Sequence, residues 1–290
     1  MKHTIGEIYK KSIEYLKNKN IERPEISVQY LLSHLLNISR LQIFLEFEKI
    51  MQNDHIDKMR EYIKRRALHE PVQYITGSVD FYNSVFKVNK NVLIPRPETE
   101  ILVDTALKLF NERSKDLNDK TWNIADLGCG CGNIAVSFAK GTSATVKITA
   151  IDISNSALEL AKKNAELNNV SDKIVFKNLS FNAFLDEKPK LHMILANPPY
   201  IDPKDKNTLA SHVIAFEPHS ALFGKKSGLD YPLEILTKTS YLIGSEFVLL
   251  MEIGWDQSNN LIDKCQACGF EKYEFIKDYN DFDRILKITG

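Results

Sequence analysis

The sequence predicts an α/β fold, a mostly parallel sheet covered on both faces by helices, with a small helical domain ahead of it. Two observations predict this. From residue 123 onward, short apolar runs at 123–127, 147–151, 174–177, 193–196, 247–253 and 284–288 are mostly separated by helical stretches such as 156–167 and 231–242. Apolar runs of that length suit strands buried on both faces, and strands that alternate with helices build parallel sheets. Before residue 75 the spacing is helical instead, with no strand-like run.

The elements follow in order. Ile5, Ile8, Tyr9, Ile13 and Leu16 form a first helical stripe, and Val28, Leu31, Leu32, Leu35 and Leu36 a second. Residues 41–47 form a third, and Ile56, Met59 and Ile63 a fourth. Apolar positions three and four apart lie on one helix face, so four such stripes predict a small bundle. These stripes read as core, and no contact residues are assigned to them. From residue 71 to 92, Tyr, Phe, Val and Thr around Gly77 and Asn83 suit a hairpin connector. Pro95 and Pro97 end that element, and Glu98-Thr99-Glu100 opens a helix reaching about Phe110. The expected organisation is a helical bundle over 1–75, a hairpin over 76–92 and the sheet domain over 93–290.

Composition bounds the function. The chain has 290 residues, 43% hydrophobic and 26% charged, as in an ordinary globular enzyme. Lys plus Arg number 38 and Asp plus Glu 38, so no global positive field exists to hold a polyanion, and stable nucleic-acid binding is not expected. No apolar run approaches the ~18 residues of a membrane span, and no signal peptide is expected, because the first residues hold no apolar run that could serve as one. A monomer in the cytoplasm is expected, without membrane association. The pairs Cys129/Cys131 and Cys265/Cys268 raise the question of zinc. The first pair is spaced too closely for a common zinc knuckle and lies inside a glycine turn, so free thiols are expected and no metal site.

The run at 123–127 passes directly into Gly128-Cys129-Gly130-Cys131-Gly132 and then a helix. Glycine lets the backbone turn sharply and approach a ligand with no Cβ in the way. Twenty residues after Gly132, the next strand ends in Asp152. A carboxylate there can accept both hydroxyls of a ribose, so the pair implies a bound nucleoside. Dinucleotide enzymes carry G-x-G-x-x-G facing a pyrophosphate; this loop reads G-x-G-x-G and follows the acidic Asp126. Asp126 suits a cationic ligand, which favours S-adenosyl-L-methionine (SAM) over a dinucleotide.

The run at 193–196 ends in Asn197-Pro198-Pro199-Tyr200, at the carboxyl edge where open α/β sheets bind ligands. Two prolines make the segment rigid and leave its carbonyls free to accept. A planar amide or exocyclic amine is a poor nucleophile because its lone pair is delocalised. The Asn197 oxygen and the Pro198 carbonyl could each accept one N–H, aiming that lone pair and stabilising positive charge as it develops. Tyr200 would stack on the flat acceptor. This arrangement needs no metal and no covalent intermediate.

With these motifs in view, the sequence resembles the protein-(glutamine) methyltransferases that modify peptide chain release factors. Glu70-Pro71-Val72-Gln73-Tyr74-Ile75-Thr76-Gly77, the stretch from Leu93 to Glu100, the glycine loop, Asn197 to Asp202 and Phe216-Glu217-Pro218 carry the likeness, in the family's order and across nearly the whole chain. The resemblance implies a seven-stranded, Rossmann-like class I SAM-dependent methyltransferase domain, with a helical domain that helps dock the release factor. It also implies methylation of the glutamine of a Gly-Gly-Gln tripeptide, with S-adenosyl-L-homocysteine as the product. By that carry-over, Gly128, Cys129, Gly130, Cys131, Gly132, Asp152 and Phe181 contact SAM, with Phe181 near the adenine, and Asp126, read above as suiting a cation, completes the cofactor set. Asn197, Pro198, Pro199 and Tyr200 hold the glutamine amide, Asn197 being counted in both sets, and Arg96 and Glu98 lie nearby. The chain departs from the family at Cys129 and Cys131, where threonines are usual, and at Ser180, often an acid.

Three other readings share some of these features. One is glutamine methylation of a large-subunit ribosomal protein, and a second is adenine amino methylation of nucleic acid. The third is a module that binds SAM without turnover. The segment Arg96-Pro97-Glu98-Thr99-Glu100 leans toward release factors, balanced charge counts against nucleic acid, and an intact Asn197 counts against an inert module. The glycine loop with its two thiols is expected near solvent.

Overall fold

The structure, a computed structural model, describes residues 3–114 and 121–290. The chain opens with α1 (Ile5–Lys17), α2 (Pro24–Leu36), α3 (Arg40–Leu45), α4 (Asn53–Ala67) and α5 (Val72–Thr76). The hairpin β1 (Ser78–Phe81) and β2 (Ser84–Lys87) follows, then α6 (Pro97–Ser114). Strands and helices then alternate as β3 (Trp122–Leu127), α7 (Asn133–Gly141), β4 (Val146–Asp152), α8 (Asn155–Leu167), β5 (Ile174–Asn178), α9 (Phe181–Asp186) and β6 (Met193–Ala196). The rest comprises α10 (Ser211–Phe216), α11 (His219–Leu222), α12 (Asp230–Thr239), β7 (Val248–Glu252), α13 (Ser258–Ala267), β8 (Tyr273–Lys277) and β9 (Asp283–Thr289). Two compact units result. One holds the chain up to Ser78 together with Ser211–Phe216; the other holds Val79–Ala210 and Glu217–Gly290.

In the first unit, Thr4 with Glu7 and Ser39 with Gln42 form capping boxes that satisfy the free N–H groups opening α1 and α3. Pro24 starts α2, where its missing N–H costs nothing. Leu16, Val28, Leu31, Leu32 and Ile43 are fully buried in one cluster, each contributing ~1.5–3 kcal/mol of apolar burial. The third stripe is only partly core, a correction to the sequence reading. Six residues of α3 turn one side inward, so Ile43 is buried while Leu41 and Leu45 are 72% and 78% exposed. A further difference is α5, a single turn that no periodicity could mark. Its C-terminal carbonyl at Tyr74 accepts from Arg65 at 3.2 Å, and the same guanidinium donates to Glu70 at 2.8 Å.

In the second unit the seven strands run in the order β5-β4-β3-β6-β7-β9-β8. The strands β5, β4, β3, β6 and β7 pair in parallel, and β9 is antiparallel to both neighbours. Period-two alternation sends Met193 and Leu195 of β6 to one face, with α6, α7 and α8, and Ile194 and Ala196 to the other, with α9, α12 and α13. Phe110, Phe138 and Trp122 pack edge to face at 4.9 and 5.5 Å, fastening α6 and α7 to β3. The hairpin closes through Tyr82 and Asn83, both at positive φ, the two-residue turn whose twist suits paired strands. The sequence reading lacked β8; its half-polar Tyr-Glu-Phe-Ile-Lys run lies at the sheet edge and buries no full face. Among the described residues no helix is long and apolar enough to cross a membrane.

Candidate active site

Register places the motif residues in one row. Asp152 pairs with Asn178 across β4 and β5, and Leu127 lies between Ile151 and Ala196 on its two neighbours. Ala196 in turn pairs with Met251. The next residue on each strand therefore falls in line: Asp152, Gly128, Asn197 and Glu252 stand side by side at the carboxyl ends of four parallel strands. Neighbouring positions in such a row are ~4.8 Å apart. Because β4 and β6 leave β3 on opposite sides, the row straddles the point where strand order reverses, the place where open α/β sheets hold ligands.

The glycine loop is held from below. Gly128 and Cys129 both donate their N–H to the Ile151 carbonyl, at 2.8 and 2.9 Å. Asn164 of α8 donates to the Cys131 carbonyl at 2.9 Å and exchanges two hydrogen bonds with the Lys87 backbone. Gly128 and Gly130 have φ of +76° and +54°, and a Cβ on either would meet no protein atom within 4 Å. Their backbone thus faces open space of the kind a ligand fills. The thiols do the reverse of what the sequence suggests: Cys129 and Cys131 are only 3% and 1% exposed. Along this tight loop the cysteine side chains turn into the core, Gly132 packs against Ala161, and Gly128 and Gly130 face outward. Burial drives the Cys129 thiol far up and pushes Cys131 up to about 12, so both stay protonated and weakly reactive near neutral pH.

Two carboxylates flank the loop. Asp152 accepts from the N–H groups of Gly130 at 2.9 Å and Ser154 at 2.8 Å, which leaves each oxygen a second lone pair. Asp126 is fully buried; its Oδ2 accepts from the Ala135 N–H at 3.1 Å, while its Oδ1 meets no donor among the described residues. Burial pushes Asp126 up to about 7, and the nearby Asp152 charge adds to the rise. A buried carboxylate oxygen without a donor is costly unless a ligand supplies one. Phe181 opens α9 beyond β5, half-buried and edge-on to Tyr231 at 5.8 Å. Ser180 caps that helix, accepting from Ala183 at 3.1 Å.

Four partners hold the segment from Asn197 to Tyr200. Tyr200 donates its hydroxyl to Glu252 Oε1 at 3.0 Å, and its carbonyl accepts from Gln257 at 2.9 Å. Gly228 approaches so closely that a Cβ would lie 2.4 Å from the Tyr200 carbonyl oxygen. Asn197 Nδ2 donates to Thr99 Oγ1 at 3.1 Å, and that hydroxyl donates to Glu252 Oε2 at 2.6 Å. Burial raises both Glu252 and Tyr200. Nearby, Arg96 pairs with the buried Glu217 at 2.6 Å and the Ile94 N–H donates to the same carboxylate at 3.2 Å, tying two landmarks distant in sequence.

Thr99, Asn164, Gly228, Glu252 and Gln257 were not singled out from sequence. Only Glu252 left a signal: it is an acid ending a buried strand, as Asp152 does and Asp126 nearly does.

A PrmC N-terminal domain model matches residues 7–77, and a methyltransferase small domain model matches residues 100–224. The catalytic domain of human METTL16, solved with a 3′UTR hairpin, aligns with a TM-score of 0.55 over 83% of this chain and 84% of its own, at 13% identity; that likeness is one of fold alone. A seven-stranded sheet of this order, with a glycine loop after β3, an acid closing β4 and Asn-Pro-Pro-Tyr after β6, defines a class I methyltransferase. The release factor glutamine methyltransferase of Leptospira interrogans serogroup Icterohaemorrhagiae serovar Lai (strain 56601) is 35% identical over 97% of this chain and 96% of its own. That of Chlorobaculum tepidum is 32% identical over 98% and 96%. This chain belongs to the release factor glutamine methyltransferase family.

Proposed function

We propose that the chain transfers a methyl group from SAM to the side-chain amide nitrogen of the glutamine in the Gly-Gly-Gln motif of peptide chain release factors. The observation that carries this reading is the Asn197 amide, whose nitrogen is engaged by Thr99 and whose oxygen is left to accept an N–H. Bound SAM supplies a methyl on a cationic sulfur, with S-adenosyl-L-homocysteine left as product. The Asn197 oxygen and Pro198 carbonyl each take one N–H of the glutamine amide, turning its lone pair toward the methyl. As the nitrogen–carbon bond forms, positive charge on nitrogen strengthens both hydrogen bonds, so they favour the transition state over the ground state. The carbon–sulfur bond breaks as the nitrogen–carbon bond forms, and one N–H proton then passes to solvent, leaving a neutral N-methyl amide. Fixing donor and acceptor in contact contributes ~7–11 kcal/mol toward the barrier.

The chain's residues fit SAM. Open space above Gly128 and Gly130 admits its backbone-facing edge, Asp152 has lone pairs for ribose hydroxyls, and Asp126 Oδ1 lacks the donor an ammonium supplies. Phe181 serves the adenine. The helical unit helps dock the protein substrate, a role supported by the exposed Leu41, Phe44 and Leu45 of α3. Balanced charge disfavours nucleic acid as the acceptor.

Asp126 gives a pH-dependent expectation. Its ordinary value is 3.8, and in the fold it stands at about 7. Between these values the folded protein holds a proton that the unfolded chain releases, so its contribution to stability falls as pH rises toward 7. Asp126→Asn therefore raises the ligand-free melting temperature at pH 8, by about 4 °C or more, and changes it little at pH 4. The same variant weakens SAM ~10- to 100-fold at pH 8 and abolishes the tightening of SAM binding between pH 6 and 8. Calorimetric titration and thermal melts check both; equal SAM affinity in the variant would remove Asp126 from the site.

The acceptor assignment is tested by offering labelled methyl-SAM with a release factor, its Gly-Gly-Gln glutamine→Ala variant, a ribosomal protein and a DNA duplex. Label confined to the intact release factor is expected. Label on the ribosomal protein or the duplex transfers the assignment to that acceptor.

A further inference from the structure

We infer that Glu252, acting through Thr99, fixes which end of the Asn197 side-chain amide faces the acceptor, and so makes the site select an amide over a carboxylate. The inference rests on the proposed role of Asn197 and concerns residues that do not themselves touch the acceptor.

With Glu252 ionised, the hydrogen-bond inventory leaves one arrangement. Glu252 is 1% exposed, and its two oxygens face two hydroxyls, Tyr200 at 3.0 Å and Thr99 at 2.6 Å. An ionised carboxylate only accepts, so both hydroxyls must donate to it. Thr99 has a single hydroxyl proton, and once that proton points at Glu252 its oxygen can only accept toward Asn197. The group facing it at 3.1 Å is then necessarily the Asn197 NH₂, and the Asn197 oxygen is turned away. An oxygen in that position binds the N–H of a glutamine amide and repels a glutamate. Were Glu252 protonated on the oxygen facing Thr99, that hydroxyl would be released to donate to Asn197. The amide would then turn over and present NH₂, which repels the substrate N–H and attracts a carboxylate.

Burial raises Glu252, and the hydroxyls of Thr99 and Tyr200 oppose that rise. The Arg284 charge opposes the rise in Glu252 that burial causes, while Glu98 adds to that rise. Arg284 is itself anchored by Asp278 at 3.1 Å and by the Ile253 carbonyl at 3.1 Å, and Arg96 lies close enough to act on Tyr200. The Glu252 carboxylate thus faces two hydroxyls and a neighbouring guanidinium charge, the groups that oppose the rise burial imposes. Glu252 and Thr99 are positioning residues, 153 positions apart, joined to Asn197 and Tyr200 through side-chain hydrogen bonds.

Thr99→Val keeps shape and removes the hydroxyl, and Thr99→Ser keeps the hydroxyl. Turnover of the Val variant is expected to fall ~10- to 100-fold with SAM affinity within about twofold of wild type, and the Ser variant to recover most of the loss. Competition by a release factor bearing Gln→Glu in the Gly-Gly-Gln motif supplies a readout that packing alone would not move. The Val variant should lose about tenfold of the wild-type preference for glutamine. Should Thr99→Val not fold, Glu252→Asp keeps the charge but falls one methylene short of two hydroxyls, and the same losses are expected. A folded, SAM-binding Thr99→Val enzyme with turnover within twofold of wild type and unchanged glutamine preference overturns the inference. The series is run on whichever acceptor the wild type labels. Absence of label on the release factor with label elsewhere defeats the substrate reading while the relay is judged on that other acceptor, by turnover and serine rescue. Label on no acceptor defeats both.

Discussion

Asn197→Ala is expected to lower methyl transfer ~100- to 1,000-fold while leaving SAM affinity within a few fold of wild type. The magnitude is that of removing one preorganised group aimed at developing charge. Two features keep the substitution specific. The Thr99–Glu252 hydrogen bond does not pass through Asn197, and the Tyr200 hydroxyl holds Glu252 from its other oxygen. Neither Pro198 nor Pro199 has an N–H, so the backbone carbonyl that shares the acceptor is rigid without help from Asn197. Loss of the side chain should therefore appear in the chemical step, as single-turnover rates with saturating SAM, rather than in binding or in the melt. A variant that retains most of its transfer rate would mean that Asn197 does not hold the nucleophile.

Gly130→Val is expected to weaken SAM by about a hundredfold or more, near 3 kcal/mol. A Cβ at Gly130 meets no protein atom within 4 Å, so the first side-chain atom points into the space a ligand would fill. The confounding effect is backbone strain, since φ is +54° and an L side chain there costs ~1–2 kcal/mol. Gly244 separates the two. It has φ of +83° and equally open space, but it follows Leu242 at the far end of the sheet domain's helix α12 connection, away from the carboxyl row. Gly244→Val should lose comparable stability and no SAM affinity. If both variants lose SAM equally, strain and not the ligand explains the effect.

Much of the sheet domain was legible because its strands are buried on both faces and read as continuous apolar runs, β6 matching at both ends. The acid closing β4 and the motif following β6 were legible for the same reason: a polar residue at the end of such a run stands at the sheet edge. What the sequence hid depends on partners far along the chain. Nothing local distinguishes Thr99, inside a helix start, from any other threonine, and its role exists only because Glu252 lies beneath it. Asn164 reads as an ordinary helical polar residue until the Lys87 backbone and the glycine loop are seen to meet on it. Ser180 departs from the family's usual acid, yet it serves α9 as its N-cap. The cysteines were misread because loop membership suggests exposure, whereas alternation within a tight turn buries every second side chain.

The measurement that tests the central claim most directly is mass spectrometry of a release factor incubated with the protein and SAM, with fragmentation that localises the added methyl. One methyl on the side-chain nitrogen of the Gly-Gly-Gln glutamine, formed ~100- to 1,000-fold more slowly when Asn197→Ala replaces the wild type, is the predicted result. A methyl on any other residue, or the same initial rate with Asn197→Ala, would contradict it.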